Sequence, residues 1–215
     1  MPLRPKPALG RPKDPEKRQA ILQAAAELFP QKGFAGVSML EIAERANVSK
    51  LTLYRHFADK EDLFSQAVID CCEQQLPASS FQPAPDLGIE QALTAIGIGF
   101  LELAMDEKAI TLHRMIVRQS GMDTGNAELY FKVGPARMLA EMRHFLEHAG
   151  RSGALYIPRP DLAAEHFFCL LKGLVYMRVL MGLCPPPDRK ARETHVREVV
   201  AVFVAAYGPE NRRGQ

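Results

Sequence analysis

Five side chains in one short stretch have the types and spacing to bind a polyanion: Lys50, Thr52, Tyr54, Arg55 and His56. Cations, hydroxyls and ring N–H groups hold phosphate oxygens and read base edges. Leu53 and Phe57 interrupt the set four residues apart. On a helix these two share one buried face and leave the polar groups outside. A lone tyrosine or lysine on a surface helix is ordinarily just surface. The set is informative because the elements around it are those that would aim it.

Residues 38–57 read as two short helices around a tight turn. Ser38 caps the first, and Glu41 follows at the spacing of a capping box. Ile42 and Ala43 face inward, Ala46-Asn47-Val48 makes the turn, and Ser49 caps the second helix. In length and composition this is a helix-turn-helix. Upstream, a helix starting near Asp14-Pro15 carries the stripe Ile21, Ala24, Ala25, Leu28 and Phe29 and ends by Gly33. Phe34 and Val37 lead into the Ser38 cap as core residues. Downstream, Asp59 caps a fourth helix with Leu63, Phe64, Ala67 and Val68 inward. Three helices of about sixty residues bury little alone. The fourth must therefore join this head to the rest of the chain.

Charge follows the same division. Residues 1–60 hold 11 Lys/Arg and 6 Asp/Glu, a balance of +5, and the other 155 hold 16 and 19, a balance of −3. Positive charge gathers beside the helix-turn-helix, where a nucleic-acid backbone would lie. Residues 1–13 are rich in Pro and basic residues. They read either as a disordered tail or as an arm touching DNA through Arg4, Lys6, Arg11 and Lys13. The four cysteines give neither a disulfide framework nor a metal-ligand spacing, so reduced thiols are expected. A signal-type apolar core and an eighteen-residue apolar run are both lacking, and the expected compartment is the cytoplasm. No HExxH, phosphate loop or nucleophile elbow occurs. No catalytic residue, cofactor or metal is expected, and a small-molecule-binding enzyme is the remote alternative.

The stretch VSKLTLYRHFADKEDLF closely resembles the head of the TetR family of bacterial transcriptional repressors. Gly10-Arg11-Pro12, the Ile21 to Phe29 stripe, Gly33-Phe34 and Ile42-Ala43 fall where that family places them, so the resemblance spans about residues 10–75. It implies a homodimer, an all-helical body and release of operator DNA by a ligand. It maps DNA contacts to Ser38, Ser49, Lys50, Thr52, Tyr54, Arg55, His56 and Lys60, with Arg11 of the arm as a further candidate. Tyr54 and Lys60 are expected on phosphates, and Lys50, Thr52 and Arg55 or His56 on base edges. The chain departs from the family at Leu51, where Gly is common. Leu51 must be accommodated against the DNA, for example on a thymine methyl.

The fold class expected is all-α. A basic arm (1–13) precedes a helix-turn-helix domain (14–58), a linking helix (59–76), a ligand-binding and dimerisation body (86–208) and a tail (209–215). Residues 77–88 are a linker by composition. Ile89, Leu93, Ile96, Phe100 and Leu103 then give a helical stripe containing Gly97 and Gly99, which serve close helix packing or make room for a ligand. Further helices are expected over Glu107–Gln119, Ala127–Val133 and Pro135–His148, with a break from Gly121 to Gly125. The helix after Asp161 is apolar on nearly all sides, as a helix buried on nearly all sides would be. The periodicity permits it to pair with the final helix and their copies in a four-helix bundle, and the family resemblance implies a dimer interface there, with Phe167, Leu171, Leu174, Val196, Val199, Val200 and Phe203 expected in it. The Phe131–Arg137 segment and the Phe-rich stretch after Asp161 resemble the AefR-like branch of the family.

A ligand pocket is expected from Phe100 and from adaptable Met115, Met138, Met142 and Met177. His113, Arg114, Arg118, His144 and Arg178 lie near apolar stripes and must pair, reach solvent or meet a ligand. Glu102, Glu128, Glu141 and Glu165 are available to pair with them. The expected partners are double-stranded operator DNA, a second copy of the chain and a small, mostly apolar effector, with no membrane. A ligand-independent DNA-binding protein is the alternative.

Overall fold

The computed structural model describes residues 14–82, 87–120 and 124–209. Arg11 with the rest of the arm, residues 121–123 of the expected break and the tail from 210 onward lie outside the described residues. Among those described, every regular element is helical: α1 Pro15–Gly36, α2 Met39–Arg45, α3 Lys50–His56, α4 Lys60–Gln75, a 3-10 turn Ala78–Phe81, α5 Ile89–Ala104, α6 Glu107–Ser120, α7 Gly125–Val133, α8 Pro135–Arg151, α9 Pro160–Leu180 and α10 Arg189–Tyr207.

Local chemistry accounts for the helix ends in the head. The Asp14 carboxylate accepts from the Glu16 N–H at 3.2 Å, and Pro15 occupies the first helical position, where its missing N–H is not needed. Asp59 accepts from the Asp62 N–H at 2.8 Å to start α4. Helical geometry fails in α1 at Gly33 (φ 77°, ψ 163°), so the regular run stops there. This bend lets Phe34 stack at 5.8 Å on Phe29 and meet Phe64 edge-on at 5.5 Å. Between α2 and α3, Asn47 takes a positive φ of 53°, and the Val48 N–H donates to the Ala43 carbonyl at 2.9 Å.

Two cores result. The head core joins Ile21, Phe29, Ile42, Leu53, Phe57, Leu63 and Phe64. It also takes in Met115 and Ile116 from α6, so the body sends one helix into the head. Arg18 donates to Gln66 at 2.9 Å and Gln19 to Asp70 at 3.1 Å, tying α1 along α4. The body core gathers Leu93, Ile96, Met142, Phe145, Phe167, Leu171, Val196 and Phe203. The expected linker contains part of it, because Phe81 of the 3-10 turn is buried there. Gly97 serves packing: a Cβ there would lie 2.8 Å from Val196 Cγ1 of α10.

This packing places most of the expected dimer face inside the chain itself. Phe167, Leu171, Val196, Val199, Val200 and Phe203 are all buried within their own chain, and of that set only Leu174 is exposed, at 75%. The outward apolar groups on these two helices are Leu162, Leu170, Leu174, Val175, Met177 and Val202, with Met181 just beyond α9. The physical reason is that the buried set forms part of the body core; Gly173, whose backbone is non-helical (φ 50°, ψ −167°), breaks α9 with inward and outward residues on both sides of it. The inward faces of both helices, which pack on α5, are spent on the monomer core. A second, separate apolar face remains outside.

Candidate nucleic-acid interface and internal cavity

α3 is seated by Leu53, with Phe57 buried at its C-terminal cap. Its cap fixes one polar group directly: Ser49 Oγ accepts from the Thr52 N–H at 3.1 Å and lies 2.9 Å from Thr52 Oγ1. Lys50 Nζ sits 5.9 Å from the centre of the Tyr54 ring, within cation–π reach. Lys50, Tyr54 and Arg55 are exposed, Thr52 and His56 half-buried. Leu51 stands among them 75% exposed, a placement suited to apolar contact in a groove and costly to leave in water. Ser38 Oγ accepts from the Glu41 N–H at 3.1 Å, and the Glu41 carboxylate is held below its ordinary range by Lys32 and by the Ser38 N–H. The Ser38 half of the capping box is therefore formed, while the Glu41 carboxylate also pairs with Lys32.

Lys60 is placed differently from its neighbours. Its ammonium donates to the Val37 carbonyl at 3.1 Å and lies 4.6 Å from the Phe34 ring centre. It fastens the start of α4 to the connection between α1 and α2. Leu40 on α2 is also exposed, a large apolar group that sequence reasoning passed over.

Between the two cores lies a cavity of about 900 Å³. The head contributes Phe29 and Pro30 of α1 and Phe64 and Val68 of α4; the body contributes Phe100, Leu112, Tyr130 and Phe168. Cys71 and Cys72 also line it, and burial pushes the Cys72 thiol up to about 11, so it stays protonated and unreactive. His113 Nδ1 is 2.7 Å from Tyr176 Oη, and Lys172 Nζ lies 5.0 Å from the Tyr176 ring centre. Burial first, then Lys172, holds His113 below its ordinary pKa, so it is neutral at pH 7.

Of the expected ligand residues, Phe100, His113 and Met138 line this cavity. The others do not. Met115 belongs to the head core and Met142 to the body core. Arg114 donates to the Leu180 and Val179 carbonyls, each at 2.7 Å, and so caps the end of α9. Arg118, His144, Met177 and Arg178 are exposed. Sequence reasoning missed Tyr130, Lys172 and Tyr176. The available signal was Lys172 and Tyr176 four apart in an otherwise apolar helix.

Residues 21–67 match the N-terminal domain of bacterial regulatory proteins of the tetR family, and residues 91–209 match the AefR-like transcriptional repressor C-terminal domain. The chain belongs to the TetR family of transcriptional regulators. It is a DNA-binding regulator by that membership, and its body is of the AefR-like branch. The uncharacterized HTH-type transcriptional regulator YdeS of Bacillus subtilis (strain 168) is 28% identical, over 89% of each chain. A regulator of the same family from Mesorhizobium loti has a solved structure with a TM-score of 0.75 at 28% identity, covering 92% of this chain and 99% of that one. The flavonoid-responsive regulator FrrA is 30% identical with a TM-score of 0.70, covering 91% of this chain and 99% of that one. No described helix of this TetR-family chain is long and apolar enough to cross a membrane.

Proposed function

We propose that this chain is a repressor that binds a palindromic operator as a homodimer and is released by a small, mostly apolar effector. The observation that carries the reading is the position of the cavity, whose lining comes from both cores. A molecule inside it touches Phe29 and Phe64 of the head and Phe100 and Phe168 of the body at once. Its binding energy is then available to change how head and body sit. Two heads can read a palindrome only if their α3 helices lie about one helical turn, roughly 34 Å, apart. A small rotation of each head breaks that match without unfolding anything.

On DNA, Lys50, Thr52, Arg55 and His56 take base edges, Leu51 takes an apolar contact, and Tyr54 holds phosphate. Ser38 and Ser49 act chiefly by fixing helix starts. Lys60, already tethered to Val37, contributes from the rim. The second copy docks on the outward apolar face of α9 and α10, through Leu170, Leu174, Met177 and Val202. The response of FrrA to flavonoids, as its name states, supports a small-molecule effector here. Selection of tight binders from a random duplex pool tests the reading. An inverted repeat with half-sites about one turn apart is expected. Enrichment of single half-sites, or of nothing, contradicts it.

A further inference from the structure

We propose that the cavity takes an organic acid, an apolar body ending in a carboxylate, with Lys172 as its counter-ion. The inference rests on the reading of the cavity as the effector site. The walls are aromatic and aliphatic over most of their extent. Inside its exposed margin, where Lys108 and Thr124 lie, the walls carry one half-buried ammonium and three hydrogen-bonding side chains: Lys172, His113, Tyr176 and Tyr130.

Lys172 is the group that a neutral ligand leaves unexplained. Its ammonium faces two rings, 5.0 Å from the centre of Tyr176 and 5.9 Å from that of Phe100. Among the described residues it forms no ion pair, and no carboxylate enters its electrostatics. The carboxylates that line the cavity, Glu128 and Glu165, are on exposed residues at its margin. A half-buried cation beside two rings is stabilised only in part by those rings, and burial holds its pKa below the ordinary lysine value. An anion delivered by the ligand supplies the missing charge.

The neighbours fit the same ligand. His113 and Tyr176 are hydrogen-bonded to each other, Nδ1 to Oη at 2.7 Å. If the phenol donates, His113 Nε2 keeps an N–H for the ligand; if the imidazole donates, Tyr176 keeps its O–H. Either arrangement leaves one donor. Tyr130 adds another O–H from α7, and burial raises its pKa, so it remains a donor. A carboxylate, with two oxygens that only accept, uses an ammonium and two such donors together.

Fluorescence titration of the full-length protein with two matched probes tests this: 1-pyrenebutyrate, which is charged, and 1-pyrenebutanol, which is not. The wild type is expected to prefer the acid by about tenfold at matched ionic strength, the scale of one charge-assisted contact. Lys172→Met is expected to reduce that preference to about twofold or less while still taking up the alcohol, and Lys172→Arg to keep most of it. Cooperative thermal unfolding of each variant shows that the fold is intact. Equal affinity for the two probes in the wild type, or an undiminished preference in a folded Lys172→Met, overturns the assignment. Failure of the underlying reading looks different: neither probe binds, or both bind equally well when Leu112→Trp fills the cavity. In either of those cases the acid assignment falls with it.

Discussion

Tyr54 and Lys50 present the clearest separation of roles on the α3 surface. Tyr54 is exposed beside the Lys50 ammonium, and its phenol is suited to a phosphate that every duplex offers equally. Tyr54→Phe is expected to weaken binding several-fold on specific and scrambled duplexes alike. Lys50→Ala is expected to change the ranking among single-base variants of the operator, by about 1–3 kcal/mol at the position it reads. Fluorescence anisotropy at fixed salt measures both; a uniform loss for Lys50→Ala would put that side chain on phosphate. His113 makes a second residue-scale prediction. It faces Tyr176 and Lys172 of α9 and Tyr130 of α7, and burial and Lys172 depress its pKa in the folded protein. Protons then bind the unfolded chain more readily, so stability should fall as pH drops through the unfolded value of about 6.5. A His113→Gln variant, scanned by thermal unfolding from pH 8 to about 5.5, should show a shallower loss over that interval. An identical slope would mean that other groups account for it.

Elements differ in how far the sequence determines them. The caps at Asp14, Ser38, Ser49 and Asp59 were legible because a cap is a contact between residues two or three apart. The interruption of α1 at Gly33 was legible from the glycine itself, although the helix continues to Gly36. What could not be read was the break in α9 at Gly173, which has nothing within 4 Å of a would-be Cβ to explain it. Nor could the division of α9 into inward residues such as Phe167, Leu171 and Val179 and outward ones such as Leu170, Leu174 and Met177 be read, because it depends on what covers each face. From spacing alone the helix reads as a single buried cylinder, and Phe167 and Leu171 do not stand apart from the outward residues. Gly97 tests the packing that results. Gly97→Ala forces a methyl to 2.8 Å from Val196 and is expected to destabilise by about 1–3 kcal/mol in denaturant. Adding Val196→Ala should recover part of that loss, because the clash is with its Cγ1. Strict additivity of the two changes would mean that the helices shift apart instead.

At the scale of the whole molecule, the division into head and body was legible from the charge imbalance and the helix-turn-helix pattern. The joint between them was not. Ile116 of α6 packs in the head core and also lines the cavity with Phe29 of α1, contacts between residues far apart in the chain. Spacing along one helix carries no record of them. The methionines expected around a ligand divide for this reason: Met138 reaches the cavity, while Met115 and Met142 fill separate cores. The outward face of α9 and α10 makes a prediction at this scale. Leu174→Glu with Met181→Glu should yield a folded monomer by sedimentation, since both side chains are exposed within one chain. Val199→Glu with Phe203→Glu should unfold the body instead, because both are buried in its core.

The account as a whole depends on α3 presenting its polar side to DNA, in pairs. Nuclease protection across the DNA flanking the gene for this protein tests that most directly, with the wild type and a Lys50→Ala, Tyr54→Ala double variant side by side. The expected result is one protected stretch with two-fold symmetry, its halves about 34 Å apart, lost in the folded double variant. Protection without symmetry, or protection that the double variant leaves unchanged, would contradict the account.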